Sequence, residues 1–285
     1  MTRVRTAVVM LAGVAILATP TSAQNEPAPG ALLQSAASYL STFAPRVAGV
    51  TLEETYTMLE VAATWVLSTR RIVSDVVLAD VDGKVAAVRD PFLLNGNPLR
   101  ERTPRIAALL ARPTPAAWTQ VRAYASESIR YFHTDLVVLL NQPTLALQFV
   151  APDNQARVAY ALDGRRRING IEVWALRFEE LKSPEADYIL KTPGKAAASG
   201  RLWIDPATGR IHRTELAMKS ATEFARIDVD YARDAPLDLW LPSSMIDTYE
   251  TSEVVSTGRS MERGTSRRFL ECRATYSNPR RPSLS

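Results

Sequence analysis

The second half of the chain is built from short stretches of alternating apolar and polar side chains, and this pattern limits the folds that the sequence can adopt. Residues 225–231 alternate strictly, and residues 200–216 and 240–249 hold further stretches of the same kind. Because side chains along a β-strand point to opposite faces in turn, each stretch predicts a strand with one apolar face. Consecutive strands of this kind predict an antiparallel sheet that turns its apolar face toward a core.

Turn-forming pairs mark the hairpins of this sheet. An Asp-Gly pair at 82–83 and an Asn-Gly pair at 95–96 are typical of two-residue hairpin loops. In residues 205–209, Pro206 fixes its own φ, and Gly209 can adopt the positive φ that closes a loop. We therefore predict hairpins both before and after the middle of the chain.

Helical periodicity is found in two parts of the sequence. Residues 31–43 carry apolar side chains near one helical face. In the middle of the chain, one helix is predicted to start at 103–104, a longer one to cover 114–131, and a short third one to cover 143–150. Residues 47–60 fit either a strand or a helix, and we favour a strand.

The order of these elements, strands followed by helices and then by more strands, is typical of an α+β domain. We predict a curved antiparallel β-sheet, a half-barrel, with helices covering its concave face, because a sheet of so many strands must twist and curl. Within it, Ile227 and Val229 are expected to be buried, and Arg226, Asp228 and Asp230 to face solvent.

The N-terminus has the features of a secretory signal peptide. Arg3 and Arg5 precede an apolar run at 7–18 that is too short to span a bilayer, and small residues precede Gln24. We predict a signal peptide at 1–23 and export to the periplasm or the extracellular space. An uncleaved membrane anchor is the alternative. The remaining chain divides into a flexible leader (24–30), a single domain (31–278) and a polar tail (279–285).

Charge and cysteine content bear on the kind of partner and on how the domain is held together. The chain has 34 Lys and Arg against 30 Asp and Glu, and the predicted signal peptide contains two of the basic residues, Arg3 and Arg5. The exported chain is therefore nearly neutral, which does not favour a nucleic-acid partner. Cys272 is the only cysteine, so the domain cannot be held by an intramolecular disulfide.

Residues that could carry chemistry are few and scattered. His133 and His212 are the only histidines, and a zinc site would need both together with carboxylates. Ser260 and Ser266 lack the second glycine of a nucleophile elbow. Cys272 shares its predicted strand face with apolar residues, which favours a core thiol over a nucleophile. We therefore expect no catalytic residue, no metal site and no cofactor.

Three short basic clusters lie at 165–167, 267–268 and 280–281. They can be explained as solvated charges in turns, or as contacts with anionic lipid headgroups or an acidic partner. Aromatic residues do not interleave with them, so they do not favour single-stranded nucleic acid.

Several strand and turn segments resemble the core of the lipoprotein carrier and lipoprotein-sorting superfamily, the LolA-like and LppX-like proteins of the bacterial envelope. The segments that carry the resemblance are 200–205, the turn 206–209, 213–215, 229–231, Leu241-Pro242 before Met245, and 272–278. The chain is also similar to a group of uncharacterised secreted bacterial proteins. The resemblance implies an eleven-stranded half-barrel that is capped by helices and holds acyl chains in an apolar cavity.

We therefore predict that the protein binds a lipid, or the acyl chain of a lipoprotein, between sheet and helices, and that it does not catalyse a reaction. The predicted lining consists of apolar strand residues and two helix residues: Leu202, Ile204, Ile227, Val229, Tyr231, Leu270, Tyr124 and Ile129.

Two alternatives stay open. The same residues would form a filled core in an envelope scaffold or interaction protein without a ligand, and a hydrolase has the least support. An apolar cavity larger than about 300 Å³ would favour the ligand over the scaffold. Ionisable groups that converge in a cleft would favour an enzyme.

Overall fold

The computed structural model describes residues 26–62, 65–132, 140–181, 188–190, 196–220, 223–256 and 263–281. The predicted signal peptide at 1–23 lies outside these ranges, as do His133, Ser260 and the last residues, 282–285.

Eleven strands in the described part of the chain form one antiparallel sheet. Their bounds are β1 Thr51–Ala62, β2 Trp65–Val81, β3 Lys84–Leu94, β4 Asn97–Pro98, β5 Val158–Ile168, β6 Ile171–Glu180, β7 Ala198–Ile204, β8 Ile211–Lys219, β9 Glu223–Asp234, β10 Leu239–Ser256 and β11 Arg263–Arg280. Across the sheet the order is β4-β3-β2-β1-β11-β10-β9-β8-β7-β6-β5. The first and the last strand of the described residues, β1 and β11, are thus neighbours, and they join the two halves of the sheet.

Three α-helices and three 3₁₀ helices accompany the sheet within the described ranges. They are α1 Pro29–Val47, α2 Arg105–Leu110, α3 Pro115–Ser128, and the 3₁₀ helices Ile129–Tyr131, Leu145–Phe149 and Gln155–Arg157. Helix α3 begins where the sequence predicts, because the Thr114 side chain accepts a hydrogen bond from the Ala117 backbone N–H at 3.1 Å. Residues 51–60 belong to β1, so the strand interpretation of that segment is confirmed.

The three predicted hairpin turns are present. Both residues of the pairs at 82–83 and 95–96 have positive φ, as a two-residue hairpin requires. In the third turn, the Gly209 backbone N–H donates to the Asp205 oxygen at 2.8 Å, and Gly209 has a φ of 70°. A Cβ atom at Gly209 would lie 2.1 Å from the backbone oxygen of Ser35 in α1. Glycine is therefore needed both for the turn and for close approach of the helix.

Two consecutive residues of β2 show how the helices are divided between the faces of the sheet. Val76 packs in the main core with α1, whereas Val77 packs with Ile106 of α2 and Val121 of α3. We call the face that carries α1 the inner face and the opposite one the outer face. The expectation that the helices cover one concave face does not hold for α2 and α3, which pack against β2 and β3 on the outer face.

Contacts of α1 indicate that the sheet curves. Helix α1 contacts β3 near one end of the sheet and β5 at the other end, nine strands further across. In a flat sheet these two strands would lie about 43 Å apart, since neighbouring strands are spaced by about 4.8 Å. A helix of 19 residues is only about 28 Å long. The two ends of the sheet therefore approach each other around α1.

Candidate functional site

Six of the eight residues predicted to line a ligand site lie together in the core on the inner face. All six are buried in the same cluster as α1: Leu202, Ile204, Ile227, Val229, Tyr231 and Leu270. The Tyr231 hydroxyl also donates to the backbone oxygen of Pro143 at 2.7 Å, which ties β9 to the segment before the 3₁₀ helix. The alternation along the strands thus predicted correctly that these six residues share one face. That a ligand binds there stays a prediction.

The two predicted helix residues lie elsewhere. Tyr124 packs with the outer-face cluster, where the Arg105 guanidinium lies 4.0 Å from its ring centroid. Ile129 follows α3 in a 3₁₀ turn and is 41% exposed. Helical periodicity identifies an apolar stripe but does not say which face of a sheet it covers. Neither residue therefore joins the six strand residues.

An apolar groove runs along α1, with a cavity volume of about 340 Å³. We call it the α1 groove. It lies between α1, the turn from β2 to β3, and the segment that follows the 3₁₀ helix Leu145–Phe149. Its lining consists of Ala37, Leu40, Ser41, Asp82, Gly83, Lys84, Val85, Leu147, Gln148, Val150, Ala151, Pro152 and Asp153.

The α1 groove has apolar walls and a charged rim. Leu40, Val85 and Leu147 line it and also belong to the main core, so the groove is continuous with the packing on the inner face. At the rim, the Lys84 ammonium lies 2.5 Å from the Asp153 carboxylate. This pair joins the start of β3 to the segment before β5, where the two ends of the curved sheet meet.

A buried ion pair crosses the inner face further along β3. Arg89 donates to both carboxylate oxygens of Glu54, with 2.7 Å between Nη2 and Oε1, and its Nη1 donates to the Asn141 side-chain oxygen at 3.0 Å. Both charged side chains are almost completely buried. Glu54 is on β1 and Arg89 is on β3, so the arginine side chain spans the strand between them.

A second buried acid, Asp247, lies on β10. The Tyr56 hydroxyl donates to its Oδ2 at 2.5 Å, whereas its Oδ1 has no hydrogen-bond partner within the part of the chain that the structure describes. Burial raises the pKa of Asp247 to about 6, and the hydrogen bond from Tyr56 opposes this rise. The charge of Asp247 therefore changes in mildly acidic solution.

The arrangement around Asp247 gives little support to nucleophilic chemistry. Cys272 pairs with Asp247 across β10 and β11 and is completely buried. Burial raises the pKa of the Cys272 thiol well above its usual value, so the reactive thiolate is disfavoured. Glu54, Asp247 and Cys272 all lie away from solvent. The expectation of a core thiol agrees with this environment.

The apolar alternation of the strands did not identify Glu54 and Asp247 as candidate site residues, although their positions in the sequence contain a signal. Glu54 occupies the same strand phase as Leu52 and Tyr56, and Asp247 the same phase as Met245 and Tyr249. A carboxylate at a position that alternation assigns to the core is unusual, because a buried charge is costly without a partner. Carboxylates at such positions therefore indicate polar contacts within an otherwise apolar face of the sheet.

His212, the one described histidine, is buried against Trp240 in an edge-to-face contact, with 4.4 Å between ring centroids. Burial lowers its pKa. His133 lies outside the described residues, so the structure does not test whether the two histidines meet. Among the residues that the structure describes, no three His, Cys, Asp or Glu side chains are grouped so that they could hold a metal ion.

Charged residues on the outer face form ion pairs across neighbouring strands. Arg226 is exposed and pairs with Asp228, while Arg213 pairs with Asp230 at 3.1 Å. Ile227 and Val229 are buried as predicted, but Asp228 and Asp230 are only partly exposed, since these arginines lie over them.

The predicted basic clusters also find partners inside the molecule. Arg165 lies 3.5 Å from Glu172, and the Arg166 guanidinium lies over the Trp203 ring. Arg280 pairs with Asp75, and Arg281 donates to a backbone oxygen at the end of α1. The side chain of residue 267 is outside the described part, and Arg268 lies 3.9 Å from Glu60. These contacts favour a structural role for residues 165, 166, 280 and 281.

No protein-family model and no curated protein matches the chain, but several solved structures are similar to it. A domain from Vibrio parahaemolyticus assigned to outer membrane lipoprotein sorting has 11% identity and a TM-score of 0.40, over 90% of this chain and 95% of that one. A DUF1329 family protein from Desulfovibrio piger has 14% identity and a TM-score of 0.39, over 90% and 94%. A LolA superfamily protein from Nitrosomonas europaea has 12% identity and a TM-score of 0.31, over 89% and 94%.

Within the described residues, no helix combines the length and the apolar character that crossing a membrane requires.

Proposed function

We propose that this protein is an exported envelope protein that holds a lipid, or the acyl chain of a lipoprotein, between the inner face of its sheet and helix α1, without catalysing a reaction. In this proposal the curved sheet is the half-barrel that the sequence resemblance implies, and the predicted signal peptide supports export. The observation that supports the proposal best is the α1 groove, whose apolar walls continue into the core on the inner face.

The size and chemistry of the groove suit the end of an acyl chain. Its volume of about 340 Å³ is at the lower end of the range for small-molecule sites, roughly 300–1,000 Å³. Each methylene group that leaves water for such a site stabilises the complex by about 0.8 kcal/mol. A chain that extends past the groove would have to displace side chains of the main core, so we expect α1 to move when a long chain binds.

The rim of the groove suits a polar headgroup. Lys84 and Asp153 form their ion pair at the opening, where both remain accessible to water. An acyl chain entering from this side would keep its headgroup near these charges while its tail is buried against Leu40 and Leu147. Exposed ion pairs contribute little to stability, so this one can open at small cost.

Titration with a fluorescent fatty acid tests the proposal. Ser41 is exposed on α1 and lines the groove, whereas Ser38, one turn earlier on the same helix, is exposed but does not line it. Ser41→Trp would fill the opening, and Ser38→Trp makes the same substitution outside it. We expect the wild type and Ser38→Trp to bind the probe equally, and Ser41→Trp to bind it about tenfold more weakly or not at all.

Each outcome of this titration separates the proposal from its alternative. A wild-type protein that fails to bind fatty acids or phospholipids would favour the ligand-free scaffold. Equal binding by wild type and both variants would place the ligand away from the α1 groove, and the groove would lose its proposed role.

A further inference from the structure

The end of the ribbon formed by β1 and β2 exposes consecutive apolar side chains to water. Trp65 is 76% exposed, Val66 60% and Leu67 53%. We call these three residues the ribbon end. Scattered apolar residues are normal on a protein surface, but a contiguous exposed set that includes a tryptophan marks an interaction site.

The ribbon end projects beyond the strand that lies next to it on one side. Strand β3 pairs with β2 only from Ile72 onward, and Arg71 bonds to Asn95 in the turn after β3, so residues 65–70 extend past this side of the sheet. On the other side, β10 and β11 continue past the ribbon end as far as Ser256 and Arg263. Helices α2 and α3 pack against β2 through Val77, farther along the strand. The apolar side chains at the ribbon end are therefore not covered by the outer-face helices.

Strand register shows that both faces of this end are apolar. Trp65 pairs with position 62 of β1, which pairs in turn with Arg268 of β11, so Trp65 and Arg268 share one face. Val66 pairs with Val61, which pairs with Phe269, and these three share the other face. Phe269 is itself 40% exposed. A partner protein that docked on one face would leave the other in water, whereas a bilayer surrounds an inserted ribbon from both sides.

Basic side chains border the apolar end. Arg268 lies two strands away from Trp65, about 10 Å by strand spacing. Its side chain is 57% exposed and lies 3.9 Å from Glu60. Arg70 and Arg71 follow on β2, and Arg71 is exposed. On the outer face, Glu250 lies opposite Phe269, and Glu271 pairs with Arg273. Among the described side chains, four arginines (70, 71, 268 and 273) thus lie near three carboxylates (60, 250 and 271), so the border has a small excess of positive charge.

We propose that the ribbon end inserts into the interfacial layer of a bilayer that contains anionic phospholipids. Trp65 would occupy the headgroup level, which tryptophan favours because its ring is apolar and its N–H is polar. Val66, Leu67 and Phe269 would reach the outer part of the acyl chains. Arg268 and Arg71 would contact phosphate groups, where basic residues are attracted to the negative surface. This docking is independent of the proposed acyl-chain site, because it requires no ligand on the inner face.

Co-sedimentation with vesicles tests the docking proposal. The vesicles contain phosphatidylglycerol and phosphatidylcholine in equal amounts, and vesicles of phosphatidylcholine alone serve for comparison. The test variant replaces all three residues of the ribbon end (Trp65→Ser, Val66→Ser, Leu67→Ser). The control is Ile246→Ser, since Ile246 is 43% exposed on the outer face of β10, away from the ribbon end. We expect the triple variant to lose vesicle binding by about tenfold or more, and the control to bind like the wild type.

A charge variant and a fluorescence measurement sharpen the test. Arg71→Gln with Arg268→Gln should weaken binding to the anionic vesicles and leave binding to phosphatidylcholine vesicles unchanged. Brominated lipids should quench tryptophan fluorescence in the wild type but not in Trp65→Phe, which keeps the end apolar. The proposal would be overturned by a wild type that does not sediment with either kind of vesicle, or by a triple variant that binds as the wild type does. Circular dichroism spectra that match the wild type would show that the variants are folded.

Discussion

The charged side chains across β8 and β9 on the outer face remain in contact with water, whereas three charged side chains of β1, β3 and β10 on the inner face do not. On the outer face, Arg226, Asp228 and their neighbours form ion pairs that are partly exposed. On the inner face, Glu54, Arg89 and Asp247 are buried among apolar side chains. Exposed pairs contribute little to stability, whereas a buried charge is costly unless its partner is in place. The stability of the inner face therefore depends on correctly placed partners for its buried charges as well as on apolar packing.

The largest effect is expected from the buried ion pair. Arg89→Met would leave Glu54 charged and buried without its partner, so we expect a loss of about 3–5 kcal/mol in the free energy of unfolding. Arg226→Met is the matched substitution on the outer face, and we expect it to cost less than about 1 kcal/mol. Chemical denaturation of both variants measures the difference. Equal losses in the two variants would contradict the claim that the buried ion pair of Arg89 matters more for stability than the exposed pair of Arg226.

Packing on the inner face gives the next largest effect. Ile227→Ala removes a buried side chain between sheet and helix, and we expect it to cost roughly 2–5 kcal/mol if the core there is filled. A smaller loss together with weaker lipid binding would instead indicate that Ile227 lines a ligand site. Asp228→Ala, its neighbour on the outer face, should change stability by less than about 1 kcal/mol. A more damaging Asp228→Ala would contradict the strand register.

Asp247 makes stability depend on pH. Because burial raises its folded-state pKa to about 6, above the usual 3.8, the folded protein binds this proton more tightly than the unfolded chain does. The resulting stabilisation is complete below about pH 3.8 and is lost as the pH rises through about 6. Asp247→Asn should therefore exceed the wild type in stability by up to about 3 kcal/mol above pH 7, with little difference near pH 4. Denaturation midpoints with the same pH dependence in both proteins would refute this.

A smaller effect is expected at the turn between β7 and β8. Gly209 has positive φ, and a Cβ atom there would lie 2.1 Å from the Ser35 backbone oxygen. Gly209→Val should destabilise the protein by about 1–3 kcal/mol. Gly83→Val is the matched control, because Gly83 also has positive φ but has no atom within 4 Å of the added Cβ. The excess loss at Gly209 measures the contact with α1, and no excess would mean that α1 does not lie against this turn.

Local features of the fold could be predicted from the sequence because they depend on neighbouring residues. Turn chemistry predicts the turns at 82–83 and 95–96, and capping preference predicts the start of α3 at Thr114. Alternation along β9 predicts that Ile227 and Val229 are buried. The pairing of β1 with β11 joins two strands that are far apart in the sequence, and no short stretch of sequence encodes a contact at such a separation.

The candidate site could be predicted only in part for the same reason. The apolar phase of the strands gave the six inner-face residues, but the position of Tyr124 depends on which face of the sheet receives α3. The α1 groove is formed where α1, the turn after β2 and the segment after residue 145 meet, and these segments are distant in sequence. Glu54 and Asp247 occupy positions that alternation assigns to the apolar face. Their partners, Arg89 and Tyr56, lie on other strands and are identified only by the strand pairing in the structure.

Mass spectrometry of lipids extracted from the purified protein tests the proposed function most directly. The protein would be expressed with its own N-terminal residues in a bacterial host, purified from the exported fraction without detergent, and compared with Ser41→Trp and Ser38→Trp prepared in the same way. We expect lipid or acyl chains in near-equal molar amounts with the wild type and Ser38→Trp, and a clear depletion in Ser41→Trp. A wild type that carries no lipid and takes up none from added phospholipid would contradict the proposal and identify the inner face as a filled core.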